Sequence, residues 1–185
     1  MQHILRVTYH EMIKHGLKFT MDDIAANLSM SKKTLYKIFR SKNDLVTAVI
    51  QSLILSIEEK EARILNSNTP FKEKFKAFLL IELDDFPHPS SHLLRDLHLH
   101  HLKAAELFDQ FNVSRALHLK NLLDDGVRQG LINPVPTAFV SNLISCIAKT
   151  IVRENLTENH ALSFRDSLNI SIDLFIRGLM IHPEK

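Results

Sequence analysis

Residues 31–42 carry the side chains in this sequence that are best suited to contacting a nucleic acid. Ammonium groups bind phosphate oxygens, and short polar side chains can reach the hydrogen-bonding edges of bases. Both kinds of group occur here within one short stretch. They belong to Ser31, Lys32, Lys33, Thr34, Tyr36, Lys37 and Lys42. The segment therefore predicts a DNA-contacting surface, provided that it is helical and leaves these side chains outside.

The apolar spacing just before this segment predicts the first of two short helices. One buried helical face repeats at i, i+3, i+4 and i+7. In this stretch those positions are Met21, Ile24, Ala25 and Leu28. Thr20 stands three residues before Asp23, a capping-box arrangement in which each side chain satisfies a free backbone N–H at a helix start. Ser29, Met30 and Ser31 interrupt the pattern, which indicates a turn.

A second short helix is predicted directly after that turn. Ser31 suits the N-cap position, and Leu35, Ile38 and Phe39 form the inward apolar stripe. The lysines and hydroxyl groups then face outward. Two such helices joined by a tight turn form a helix-turn-helix, whose second helix enters the major groove of DNA.

Two further helices are predicted to support this pair. Residues 3–15 form one helix, ended by Gly16. Its inward residues are Leu5, Thr8, Tyr9 and Met12. A second capping box, from Ser41 to Asp44, begins a long helix over residues 42–65 with a broad apolar face.

The charge distribution favours the same end of the chain for nucleic-acid binding. Residues 1–45 contain eight lysines and arginines against four acidic residues, a net charge of +4. Residues 46–185 contain the other 15 basic and 17 acidic residues, a net charge of −2. Phosphate binding by release of counterions requires a basic surface of this kind.

Several of these segments together resemble the N-terminal domain of TetR-family transcriptional regulators. They are T-M-D-D-I-A at residues 20–25, S-K-K-T-L-Y-K-I-F at residues 31–39 and S-K-N-D-L at residues 41–45, with Ile4, Leu5 and Gly16 before them. The resemblance implies an operator-binding homodimer that represses transcription until a small molecule binds its C-terminal domain. Two departures from the family pattern concern the orientation of the second helix of the helix-turn-helix. Ser29 or Met30 stands where the family usually has a glycine in the turn, and the segment of residues 16–20 is about one residue shorter than in the family.

The same resemblance implies roles for individual residues. Thr34 and Lys37 would read base edges, and Thr20 would touch phosphate from its capping position. Ser31, Lys33, Tyr36 and Lys42 would mainly position the DNA backbone, with Lys32 on the same outer face.

A phenylalanine-rich helix follows Pro70 and is predicted to end before Pro87. Its stripe contains Phe71, Phe75, Phe78, Leu79 and Phe86. The stripe either belongs to the core or lines a cavity for an apolar ligand. For a ligand pocket the candidate residues are Phe75, Phe78, His101 and Phe108.

Residues 92–101 are rich in histidine, which raises the question of a metal site. On one helix, His92, Asp96 and His100 would share a face, and His98 and His101 would lie one turn apart. No further ligand at a fixed spacing completes a first coordination shell, so we expect no metal. His101 continues an apolar stripe and would be either a buried polar group that needs a partner or a group that faces a ligand.

The last two predicted helices, over residues 137–155 and 160–181, are more apolar than a small domain requires. A pair of such helices from each subunit would build a four-helix bundle. We therefore expect a homodimer that forms through these two helices.

Composition and motifs exclude several other classes of protein. A single cysteine, Cys146, excludes an internal disulfide, and no apolar run approaches the length of a membrane span. The first residues lack the apolar core of a signal peptide, so we expect a cytoplasmic protein. No G-x-S-x-G, H-E-x-x-H or glycine-rich phosphate loop is present, and we expect neither an enzyme nor a cofactor.

The sequence as a whole predicts an all-α protein of about nine helices. Residues 1–45 would form a three-helix helix-turn-helix domain, and residues 46–185 a helical domain for effector binding and dimerisation. The predicted function is that of a DNA-binding transcriptional regulator, with an effector-independent DNA-binding protein as the alternative.

Overall fold

The computed structural model describes residues 1–81, 83, 91–154 and 164–181. Those residues form nine α-helices and one short 3-10 turn, Gly16–Lys18, so the prediction of an all-α fold is confirmed. The helices are α1 (Gln2–His15), α2 (Met21–Asn27), α3 (Lys32–Ile38), α4 (Lys42–Leu65), α5 (Phe71–Leu79), α6 (Ser91–His100), α7 (Leu102–Arg128), α8 (Thr137–Glu154) and α9 (Phe164–Leu179). No described helix has the length and apolar character needed to cross a membrane.

The chain divides into two compact units. The first contains residues 1–58 and 82–111, and the second contains residues 59–81 and 112–185. The first unit thus contains α6 and the start of α7 as well as the amino-terminal helices. The predicted boundary after residue 45 separates a DNA-binding domain from an effector-binding and dimerisation domain, and it stays a prediction.

The core of the first unit forms where α1 to α4 meet α6. Tyr9 and Met12 of α1, Ile24 of α2 and Leu35 of α3 are fully buried there, as is Leu97 of α6. The predicted inward face of α1 is confirmed, and Gly16 ends that helix with φ 63°. A positive φ of this size is accessible to glycine without the steric strain that a Cβ introduces.

The core of the second unit is built from α5, α7, α8 and α9. Phe75, Phe78, Leu123, Ile132 and Ile172 are almost completely buried in it. Thr137 Oγ1 donates to the Asp124 carboxylate, which fastens the start of α8 to α7. The Phe71 ring packs closely on Gly126, because a Cβ there would lie 2.5 Å from that ring.

Two helix boundaries differ from the predictions. α5 ends at Leu79, whereas the sequence predicted a longer helix that included Phe86 and ended before Pro87; Phe86 lies outside the described residues. His101 separates α6 from α7, whereas the apolar stripe predicted that it continued a helix. The side chain of His92 is also not among those that the structure describes.

Candidate DNA-binding surface

The capping box predicted at the start of α2 is present with both of its hydrogen bonds. The Asp23 amide donates to Thr20 Oγ1 over 3.2 Å, and the Thr20 amide donates to Asp23 Oδ2 over 2.7 Å. The Thr20 amide and the Thr20 hydroxyl, which also donates to Asp23 Oδ2 over 2.8 Å, hold the pKa of the Asp23 carboxyl below its usual value. The carboxylate therefore stays charged beside the positive end of the α2 dipole, which stabilises the helix start.

The turn between α2 and α3 has the hydrogen bonds of a Schellman motif. The Met30 amide donates to the Ala25 carbonyl over 2.9 Å, and the Ser29 amide donates to the Ala26 carbonyl over 3.0 Å. Ser29 has φ 51°, the left-handed conformation that this motif requires at the residue after the C-cap. A serine thus fills the place that glycine commonly holds, and the turn still closes.

α3 begins at the predicted cap and presents the predicted outer face. Ser31 Oγ accepts from the Thr34 amide over 3.1 Å and lies 2.7 Å from Thr34 Oγ1. Leu35 is fully buried and anchors the helix to the core of the first unit. The exposed residues of this face are Ser31, Lys32, Lys33, Thr34, Tyr36 and Lys37.

Ile38 is the exception to the predicted inward stripe of α3. It is 39% exposed, whereas Phe39 is buried. The backbone of Phe39 is extended, with φ −123° and ψ 117°, so helical spacing no longer applies beyond Ile38. The change of backbone turns the Phe39 ring into the core and leaves Ile38 outside.

Two of the predicted DNA-contacting lysines have partners within the protein. Lys32 Nζ donates to Asp22 Oδ2 over 2.8 Å, an exposed ion pair that joins α3 to α2 and that sequence spacing did not predict. Lys42 Nζ donates to the Leu17 carbonyl over 2.5 Å and lies 4.5 Å from the centre of the Phe19 ring. Burial lowers the pKa of this ammonium. Contact of either lysine with phosphate stays a prediction.

The candidate pocket residues divide between the two units. Phe75 and Phe78 lie in the core of the second unit. His101 and Phe108 lie in the first, where Phe108 is partly buried and His101 is 8% exposed. A ligand-binding role for these four residues stays a prediction.

The histidines near residue 100 do not gather into a metal-ligand cluster among the residues that the structure describes. His98 is held instead by the Leu94 carbonyl and the Asp109 carboxylate, at 2.8 and 3.0 Å from its two ring nitrogens. His101 Nδ1 is buried, and no described residue forms a hydrogen bond with it.

Comparison with known proteins adds independent evidence for the same surface. Residues 4–49, which include the helix-turn-helix, match the sequence model of bacterial regulatory proteins of the tetR family. An uncharacterised HTH-type transcriptional regulator, YvaF of Bacillus subtilis, is 28% identical over 183 residues, which is 98% of this chain and 96% of that protein.

Solved structures resemble the whole fold. A transcriptional regulator from Saccharomonospora viridis, crystallised with choline, superposes with a TM-score of 0.83 at 15% identity, over 98% of this chain and 97% of that one. A TetR transcription regulator from Haloarcula marismortui gives a TM-score of 0.80 at 17% identity, over 97% of both chains. Identities this low show likeness of fold alone.

The fold and the basic face of α3 define a DNA-binding transcriptional regulator of the helix-turn-helix class. Its relatives are regulators and not enzymes, which confirms the expectation that this chain has no catalytic role. Its N-terminal residues 4–49 match the tetR family of bacterial regulatory proteins, the resemblance that its sequence motifs predicted.

Proposed function

We propose that this regulator is a ligand-responsive repressor that acts in the cytoplasm as a homodimer on a palindromic operator. The observation that carries the proposal is the exposure of a basic α3 whose opposite side is fixed in the core by Leu35. Thr34 and Lys37 lie on that exposed side, and we assign base contacts to them. Lys33 and Tyr36 would contact the phosphate backbone, together with Thr20 and Ser31.

A homodimer would place two copies of α3 on one duplex. Two-fold symmetric proteins of this class bind half-sites about 34–36 Å apart, one helical turn of DNA, or a multiple of that distance. The operator would therefore be a palindrome. Repression is the usual mode of the family, and the proposal adopts it on that ground.

The apolar outer faces of α8 and α9 support dimerisation through these helices. Phe139 and Leu143 lie one turn apart on α8, and Ile170 and Leu174 lie one turn apart on α9. Phe139 and Leu174 are each 66% exposed. Exposed apolar side chains at helical spacing on two adjacent helices form a patch that a second copy would cover.

Ligand response is supported by the S. viridis regulator, which has the same fold and was crystallised with choline. The candidate effector-binding residues remain Phe75 and Phe78 in the second unit, and His101 and Phe108 in the first. A thermal-shift series that begins with choline and extends to apolar and aromatic compounds would test it. If no compound in the series raises the melting temperature, a regulator without an effector is favoured.

Substitution of Leu174 tests the dimer. Leu174→Glu places a charge in the proposed interface, so sedimentation should show a monomer, and affinity for a duplex recovered by in vitro selection should fall. Val113→Glu is the matched control, because Val113 is an exposed apolar residue on α7 outside the proposed interface. A Leu174→Glu protein that stays dimeric would place the interface elsewhere.

A further inference from the structure

His101 is the residue at which two helices of the first unit meet. Its amide donates to the Leu97 carbonyl over 2.8 Å, as the last hydrogen bond of α6. Its carbonyl accepts from the Ala104 and Ala105 amides, at 2.9 and 3.0 Å, as the first hydrogen bonds of α7. A change in the position of this one residue therefore alters the end of α6 and the beginning of α7 together.

The surroundings of the His101 ring suit its neutral form. The side chain is buried, and Nδ1 has no hydrogen-bond partner in the part of the chain that the structure describes. Burial, the Lys42 ammonium of α4 and the neighbouring His100 of α6 lower the pKa of His101, and Asp96 of α6 opposes them. The next residues of α7 that are buried with it, Ala104 and Ala105, are apolar.

This junction is packed against the support of the helix-turn-helix. α6 packs on the 3-10 turn Gly16–Lys18. A Cβ at Gly16 would lie 3.5 Å from Asp96 Oδ2, which shows how closely the two segments approach. Leu17 of the same turn accepts from Lys42 Nζ at the start of α4. A movement of α6 would therefore disturb the turn that leads into α2.

His98 braces the same junction from the exposed side. Its ring bridges the Leu94 carbonyl of α6 and the Asp109 carboxylate of α7. Both partners only accept hydrogen bonds, so both ring nitrogens donate only when the imidazole is protonated. The brace is therefore strongest in its protonated form.

We propose that the α6–α7 junction is an acid-responsive hinge, which neutral His101 keeps closed and protonated His101 opens, with a loss of DNA affinity. A proton on the buried ring would create a second cation near Lys42 without a partner. Because burying an unpaired charge is strongly unfavourable, acid favours an arrangement in which the ring reaches water. The protonated His98 brace opposes this opening and limits its extent.

The opening can be measured without DNA, so it is tested separately from the proposed function on which its consequence rests. Hydrogen exchange of the full chain would follow the amides of residues 101–105 at about pH 5.5 and about pH 7.5, across the range in which histidine titrates. After correction for intrinsic rates, exchange should be faster at the lower pH. His101→Leu should abolish that difference, and His100→Gln, which changes an exposed neighbour, should retain it.

The second measurement is affinity for a duplex recovered by in vitro selection at pH 7.5. Wild type should bind it about fivefold or more weakly near pH 5.5, the lower end of ordinary allosteric coupling. His101→Leu should bind equally at both pH values, and His101→Gln takes its place if the leucine variant does not fold.

Either of two results would overturn the hinge. One is equal protection of residues 101–105 at the two pH values in wild type. The other is an unchanged pH dependence of exchange in the folded His101 variant. Pronounced opening at low pH together with failure to bind any duplex would contradict the proposed function instead.

Discussion

The Lys42 ammonium at the start of α4 donates to the Leu17 carbonyl of the 3-10 turn, 25 residues earlier in the chain. The same ammonium lies over the Phe19 ring. The resemblance to the family assigns Lys42 to a phosphate contact, and the structure shows that the same lysine also links α4 to the 3-10 turn within the first unit.

The hydrogen bond from Lys42 to Leu17 predicts that Lys42→Met lowers the free energy of unfolding by about 1.5 kcal/mol, as expected for loss of a hydrogen bond that involves a charged group. The measurement is urea denaturation followed by circular dichroism, because the chain has no tryptophan. Lys33→Met is the matched control and should leave stability within about 0.5 kcal/mol of wild type. Equal stability of the two variants would show that the Leu17 contact contributes nothing.

The exposed basic face of α3 predicts that Lys37→Ala and Tyr36→Ala affect DNA binding rather than stability. Both should abolish specific DNA binding while the dimer stays intact, because both side chains lie on the exposed face of α3, outside the proposed dimer interface. If Lys37 also contacts phosphate, its loss should reduce the slope of log affinity against log salt by about 1. Mobility-shift titration beside sedimentation measures both effects. Lys72→Ala, on an exposed face of α5, is the control, and undiminished affinity in the α3 variants would refute the assignment.

The left-handed conformation of Ser29 predicts that Ser29→Gly stabilises the protein. A non-glycine residue in this conformation is strained by about 1–2 kcal/mol, part of which the greater freedom of glycine in the unfolded chain offsets. We expect a net gain of up to about 1 kcal/mol in urea denaturation. Ser29→Ala keeps the strain and should show no gain. A glycine variant no more stable than the alanine variant would mean that the turn is not strained.

A buried ion pair in the second unit predicts a large effect of Arg115→Met. Glu61 is only 2% exposed, and its carboxylate accepts from Arg115 Nε over 2.6 Å and lies 3.2 Å from His118 Nδ1. Removal of the guanidinium leaves a buried carboxylate without its main partner, which typically destabilises by about 3–5 kcal/mol. The double variant with Glu61→Met should recover part of that loss, because no charge is then left unpaired. Additive losses in urea denaturation would contradict this explanation.

The His98 brace predicts a pH dependence of stability. Hydrogen bonds to the Leu94 carbonyl and to Asp109 raise the pKa of His98, so the folded chain holds this proton more tightly than the unfolded chain does. The stability it contributes is fully present below the ordinary histidine pKa and is lost as pH rises through the folded value. His98→Gln should remove this decline, and Asp109→Asn should weaken it. Thermal midpoints from pH 5.5 to about pH 8 would measure both. A decline that persists unchanged in His98→Gln must come from another group.

The helix-turn-helix was predictable because its determinants are local. Thr20 with Asp23 and Ser31 with Thr34 are capping pairs within three residues, and the apolar spacing of α2 lies within two turns. Each of these features acts over a few residues of chain, so the sequence alone reveals it. The serine at position 29 could be recognised as an unusual turn residue, but its left-handed backbone only became visible in the structure.

The structure differs from the predictions where contacts between segments distant in sequence determine the helix ends and the side-chain directions. Neither proline nor glycine stands near Leu79 or His101, so no local signal ends α5 or separates α6 from α7 there. The inward direction of Lys42 depends on a carbonyl 25 residues away. Ile38 is exposed and Phe39 is buried because the backbone leaves the helix at Phe39, earlier than the apolar spacing assumed.

The contact between Gly126 and Phe71 restricts how this chain can vary. Position 126 has room for a hydrogen atom and for little else while an aromatic ring occupies position 71. An alanine at the first position therefore requires a smaller side chain at the second, or a displacement of the ring. Regulators descended from a common ancestor with this one should change the two positions together, so that their combined volume stays nearly constant.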